Sequence, residues 1–365
     1  MRIAIITFHR AYNCGAMLQA WALKTVLERM GHTVEFPCSK YNEVGHYPPR
    51  LPIIGRNRSG SFMRRLMSFA YRLALTLLGK KEGITAGVYY DAFRKRYLPE
   101  RKCEASEFGK YFDAIVLGSD QVLNPNIDGW SSYFLCNDVP SGVRKIAYSA
   151  SAGDKQPTEA DQTILASALA SFDFVSVRES FMNYPIKLDP SLLLEASDYD
   201  AVAKLSHHTK EYIYMYSCEA SGFEVETARL IAQRLGLELI ITPVIGTYGR
   251  AKAHDISNKI SPSLMIGYIR GAKYVLAGSF HGTVFALLHG KPFLNILPDW
   301  RIAKRVSSIL EIIGETDRIV NPSDSVDVMI SRLTRPLCNE CHTRLGIVRR
   351  QSLDWLENVI GEKRT

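Results

Sequence analysis

The sequence repeats one rhythm through most of its length: a short apolar run, a turn of polar residues and glycine, then an amphipathic helical stretch. No other feature constrains the fold as tightly, because short apolar strands joined by connections of helix length build parallel sheets. In the first half the runs lie at 3–7, 33–36, 113–118, 145–151 and 174–178. After the first of them, Ala16, Ala20, Leu23, Leu27 and Met30 recur at alternating steps of four and three. That spacing marks one face of a helix over 15–30, and Gly31 stops it. The second half restarts with strands expected at 212–217, 239–242, 274–277 and 292–297 and helices at 224–235, 263–271, 282–289 and 301–313. A last helix is expected over 352–360. The expected class is α/β, with two Rossmann-like, doubly wound domains facing a cleft. The expected division is 1–195, with a basic helical insertion at 45–100, then 196–345, then a helix in 346–365 packing back on the first domain.

Composition agrees with this reading. A chain of 365 residues exceeds one ordinary core and suits two. With 46% hydrophobic and 22% charged residues it reads as globular throughout. The first apolar run leads straight into His9, Arg10 and Asn13, without the long apolar stretch of a secretory signal. The stretch 66–79, broken by Arg72, is short of the roughly 18 apolar residues that a membrane span needs. A cytoplasmic protein with reduced thiols is therefore expected, and the odd count of seven cysteines agrees. The net charge is +8, and the stretch from Arg50 to Lys81 holds eight basic residues and no acid. The basic balance is thus local, which argues against a nucleic-acid partner. Within it, Phe62, Leu66, Phe69, Leu73 and Leu77 line one face of a helix expected at 61–78. One reading lays that helix on an anionic membrane surface or a lipid pyrophosphate, placing the protein at the inner face of the membrane. The other packs it on the first domain with solvated arginines.

Ligands of doubly wound sheets bind beyond the carboxyl ends of the strands. After the first strand come Asn13 and Gly15 at a helix start, which favours anions; the plainer reading makes Asn13 a helix cap. After 113–118 come Ser119, Asp120 and Gln121, where Asp120 suits a general base or a group that orients sugar hydroxyls; its alternative is again a cap. Arg178, followed by Glu179, suits a carboxylate or phosphate, or else a structural pair. The strongest local signal is Ser279-Phe280-His281-Gly282. There a histidine able to act as acid or base opens a helix, and a glycine permits close approach. Cys338-Asn339-Glu340-Cys341-His342 has the haem-attachment spacing, but no export signal accompanies it. Zinc needs more ligands than this pair and one histidine. A redox pair, or two thiols in a surface turn, remain. Neither a metal nor a cofactor is expected.

Six segments in order, ITFHRAYNCGAMLQAWAL, FDAIVLGSDQVLNP, RKIAYSASAG, SVRES, LDPSLLL and GSFHGTVFALLHGKPF, resemble the polysaccharide pyruvyl transferase family. The resemblance implies a GT-B-like pair of domains. It also implies transfer of the carbon skeleton of phosphoenolpyruvate, the donor substrate, onto two hydroxyls of a sugar, forming a ketal. The implied acceptor is a saccharide of a surface polysaccharide such as a capsule or exopolysaccharide, free or lipid-linked. His281 would be the acid/base group and Arg178 would hold the donor; Asp120 is our assignment for the acceptor. A branch of the family carries Arg-x-His at the turn where this chain has Ser279. Arg270, Lys273, Arg301 and Lys304 are the cations considered in its place. The competing expectations are a glycosyltransferase using a nucleotide sugar and a saccharide-binding relative without catalysis.

Overall fold

The computed structural model describes residues 1–38, 82–128, 133–153, 157–180, 182–206, 208–217, 221–243, 260–297 and 304–362. The helix expected at 61–78 and Arg301 lie outside the described residues.

The first sheet is built from β1 (Arg2–Ile6), β2 (Thr33–Cys38), β3 (Glu100–Lys102), β4 (Ala114–Leu117), β5 (Arg144–Ala150) and β6 (Phe174–Val177). Their order is β3-β2-β1-β4-β5-β6, and every neighbouring pair is parallel. The second contains β7 (Tyr212–Ser217), β8 (Glu238–Pro243), β9 (Tyr274–Gly278) and β10 (Phe293–Asn295), in the order β10-β9-β7-β8, again parallel. The central strands read as continuous apolar runs because both faces are covered: all of β4 and all of β7 are buried. The helices are α1 (Cys14–Arg29), α2 (Glu82–Tyr97), α3 (Glu159–Leu169), α4 (Gly222–Leu235), α5 (Pro262–Gly271), α6 (Phe280–Leu288), α7 (Lys304–Ile313), α8 (Val326–Thr334) and α9 (Asn339–Gly361).

Two expectations are corrected. A strand not expected from the sequence, β3, follows directly on the expected insertion at 45–100 and pairs with β2. An edge strand of three polar residues has no apolar alternation to reveal it. The last helix begins at Asn339 rather than 352, and the cysteine pair opens it instead of lying in a surface turn. Its first half is mostly polar, but Cys341, Leu345, Ser352 and Leu356 still form a buried stripe at helical spacing.

One apolar cluster runs through both sheets: from Ile3, Val116 and Tyr148, across Trp21 of α1 and Tyr199, to Tyr214, Val275 and Phe285, and on to Leu345 and Leu356 of α9. The ring of Tyr199 packs between Trp21, at 5.2 Å, and Phe285, at 5.1 Å. The first sheet therefore meets the second through a packed boundary. The helix α9 ties back to the first sheet, where Arg144 Nη1 donates to the Ile360 carbonyl at 2.9 Å and the Leu188 N–H donates to Ser352 Oγ at 3.1 Å.

Strand order fixes where a ligand fits. In each sheet the connections leave to opposite sides at one point, between β1 and β4 in the first and between β7 and β9 in the second. Crevices open at such switch points, beyond the carboxyl ends of the strands. Helix α1 starts after β1, and α6 after β9.

Candidate active site at the domain boundary

Each of these two helix starts is capped as its sequence suggests. Asn13 is extended, and its side chain accepts the Ala16 N–H at 3.2 Å. Ser279 is extended too, and its hydroxyl accepts the Gly282 N–H at 3.1 Å. The other first-turn N–H groups have no partner within the helix, so each start presents partial positive charge. The two starts touch. A Cβ built on Gly15 would lie 2.2 Å from Cγ and Nδ1 of His281 and 2.5 Å from its Cβ. Only glycine at position 15 leaves room for the ring. Gly282 is also confined: its Cβ would stand 3.1 Å from Ser279 Oγ and 3.3 Å from the Tyr216 carbonyl.

The other ring nitrogen of His281, Nε2, is buried without a hydrogen-bond partner and lies 3.7 Å from Asp189 Oδ2. Asp189 belongs to the first half of the chain, at the start of the short turn Pro190–Leu192, and its side chain is fully buried. Its Oδ2 accepts from Arg178 Nη1 at 2.9 Å and Ser119 Oγ at 3.3 Å, and Oδ1 accepts the Ser191 N–H at 2.9 Å. Burial alone would raise the pKa of this carboxyl. The neighbouring His281, Arg178 and Ser191 N–H outweigh that and hold it well below the ordinary carboxylate range. Asp189 is thus an ionised carboxylate beside the imidazole, able to orient the ring and stabilise its protonated form.

Arg178 is the hub of this layer. Besides Asp189, it stands 3.8 Å from Asp120 Oδ1 and 3.8 Å from Glu179 Oε2, and its guanidinium lies 4.4 Å over the Phe280 ring. Its Nε and Nη2 have no hydrogen-bond partner. Glu179 Oε1 accepts from Ser151 Oγ at 2.8 Å and from the N–H groups of Ala152 at 2.7 Å and Gly153 at 3.2 Å. Burial pushes the Glu179 carboxyl up, opposed by Arg178, by Ser151 and by the charge of Arg305 from α7.

The residues singled out from the sequence are therefore divided. His281, Gly15, Gly282, Ser279, Asn13 and Arg178 converge. Asp120 joins them only through Arg178, because its Oδ1 turns back to accept the Gln121 N–H at 2.9 Å. The Gln121 side chain accepts from Asn124 at 2.8 Å. Ser119 is not available to a ligand: it is fully buried, its hydroxyl donates to the Ser149 carbonyl at 2.6 Å, its N–H to Gln19 at 3.2 Å, and its carbonyl accepts from Thr7 at 3.0 Å. Arg270 pairs with Asp200, and Lys273 with Glu211 at 2.8 Å. Both lie at the amino end of β9, whereas His281 follows its carboxyl end, so neither serves this site. Sequence reasoning missed Asp189, Phe280 and Arg305. The Asp-Pro-Ser step at 189–191 was visible as a cap signature, but only the fold brings it to His281.

The family model described as polysaccharide pyruvyl transferase matches residues 13–299, from the Asn13 cap through β10. The chain belongs to the polysaccharide pyruvyl transferase family. That match takes in both helix starts, Arg178, Asp189 and His281, whereas Arg305 lies beyond it. Among curated proteins no sequence match is found. Solved structures similar along the whole chain include the spinosyn forosaminyltransferase SpnP, at 13% identity and TM-score 0.46, covering 99% of this chain and 100% of the other. Another is the glycosyltransferase SnogD from Streptomyces nogalater, at 12% identity and TM-score 0.44, covering 99% of each chain. A third is the UDP-GlcNAc 2-epimerase of Methanocaldococcus jannaschii, at 12% identity and TM-score 0.44, covering 96% of this chain and 99% of the other.

Proposed function

We propose that this pyruvyl transferase family member moves the pyruvyl skeleton of phosphoenolpyruvate onto two hydroxyls of a surface-polysaccharide sugar, free or lipid-linked. The single observation behind this is the meeting of two helix starts, one from each sheet, at Gly15 and His281. A donor with both a phosphate and a carboxylate needs two anion sites around one carbon. Two capped helix starts in contact supply them with no charged side chain at Ser279. Arg305, at the start of α7, brings a cation of the second domain close enough for its charge to act on Glu179.

In this reading His281 delivers a proton from Nδ1 to the methylene carbon of the donor, leaving an oxocarbenium-like centre. One sugar hydroxyl adds to that centre, and its proton returns to His281. The second hydroxyl displaces phosphate, which carries off the remaining proton. One carbon–hydrogen and two carbon–oxygen bonds form, and the carbon–oxygen bond to phosphate breaks. Ionised Asp189, 3.7 Å from Nε2, stabilises the imidazolium that gives up this proton. Arg178 holds Asp189, Asp120 and Glu179 in register, so we assign it and Asp120 to positioning rather than to the donor. The test is phosphate release. His281→Ala should abolish it while the folded chain keeps its unfolding temperature, and phosphoenolpyruvate should raise that temperature in the wild type. A response to UDP with none to phosphoenolpyruvate would sink the assignment in favour of a nucleotide-sugar donor.

A further inference from the structure

The cysteine pair at the start of α9 has a third member that the sequence does not reveal. Glu315, just beyond α7, lies beside both thiols, and the ligand atoms of Glu315, Cys338 and Cys341 all fall within 4.8 Å of one another. Arg318 Nε at 2.7 Å and Arg335 Nη2 at 2.6 Å both donate to Glu315 Oε2. That leaves Oε1 turned to the cysteines, where it accepts the Cys338 N–H at 3.2 Å and lies 3.4 Å from Cys341 Sγ. Cys341 is buried and Cys338 exposed.

We propose that Cys338, Cys341 and Glu315 Oε1 bind a thiophilic divalent cation of the zinc class, with solvent at the fourth position. Zinc–sulfur bonds of about 2.3 Å set tetrahedral sulfur atoms roughly 3.7 Å apart, so side-chain shifts of about an ångström close the cluster. The charges balance. Two thiolates, a carboxylate and a divalent ion sum to a single negative charge, next to Arg318, Arg335 and the amino end of a 23-residue helix. Binding releases the two thiol protons to solvent and changes no oxidation state. Burial, the Cys338 thiol and Glu315 together push the Cys341 thiol up. A bound ion would join the start of α9 to the loop after α7 and so fasten the tie between the last helix and the second sheet.

The experiment uses the reduced full-length protein, stripped with a chelator and titrated with Co²⁺ and then Zn²⁺. One Co²⁺ per chain should bind with a thiolate-to-cobalt charge-transfer band, Zn²⁺ should displace it, and Zn²⁺ should raise the unfolding temperature. Cys338→Ser should remove both the band and the stabilisation, and serine is a favoured residue at a helix start. No charge-transfer band under reducing conditions, or equal binding by Cys338→Ser, overturns the proposal. Mild oxidation that removes two hydrogens from the pair, in protein that takes up no Co²⁺ when reduced, overturns it in favour of a redox disulfide.

Discussion

Substituting Gly15 by alanine tests the contact on which the site is built. The new methyl would stand 2.2 Å from Cγ and Nδ1 of His281. Carbon atoms in contact normally sit about 3.5–4.0 Å apart, so the ring or the helix must move by roughly 1.3 Å or more. Overpacking of this kind typically destabilises by about 1–3 kcal/mol, which leaves a chain of this size folded. Function should suffer more. A misplacement of about 1 Å at a reacting group is enough to lower turnover on the order of 100-fold. The assay is phosphate release from phosphoenolpyruvate with a saccharide acceptor, alongside the unfolding temperature. The His281→Gly background is the control, because there the methyl meets no ring and should cost little further stability. Turnover of Gly15→Ala within about twofold of wild type would refute the idea that the two helix starts must touch for the chemistry. A stability loss as large in the His281→Gly background as in the wild type would show that the clash lies elsewhere.

Two stability predictions follow from buried groups away from this site. Arg318 is fully buried, paired with Glu315, and donates to the carbonyls of Phe293, Arg332, Arg335 and Pro336 at 3.0–3.2 Å. Removing it leaves Glu315 with Arg335 as its remaining cation and strands four carbonyls, so Arg318→Met should destabilise by about 3–5 kcal/mol in denaturant unfolding. A loss below about 1 kcal/mol would mean that those carbonyls find other donors. His289 is pushed down to about 4 by burial and by the nearby charges of Arg270 and Lys291. The unfolded chain takes up this proton near pH 6.5, while the folded chain resists it until about 4. Stability should therefore fall as pH drops through that window, by roughly 3 kcal/mol from this group, and level off below it. Unfolding midpoints of His289→Gln should lose that part of the slope; an unchanged slope would assign it to other groups.

Asp189 and His281 illustrate what could be read without coordinates. The turn after β9 was legible because its signals are local: an apolar strand ends, a serine caps, a histidine and glycine open a helix. The same holds for Asn13 and Gly15 after β1. Asp189 carried only the signature of a turn, because its importance comes from burial and from partners far along the chain. Ser119 erred in the opposite direction, a polar residue in the expected place whose every polar atom is satisfied by Thr7, Gln19 and Ser149.

The sequence by itself determined the alternation of strand and helix, both helix starts and the family to which they belong. All of these are written in stretches of ten to twenty residues, where periodicity, caps and glycines act. Tertiary structure alone decided that the two helix starts touch, that Asp189 stays ionised beside His281, and that Glu315 stands with Cys338 and Cys341. The reason is physical: each depends on how one buried polar group is placed against another, and burial and long-range approach are set by packing, not by the order of residues along a segment.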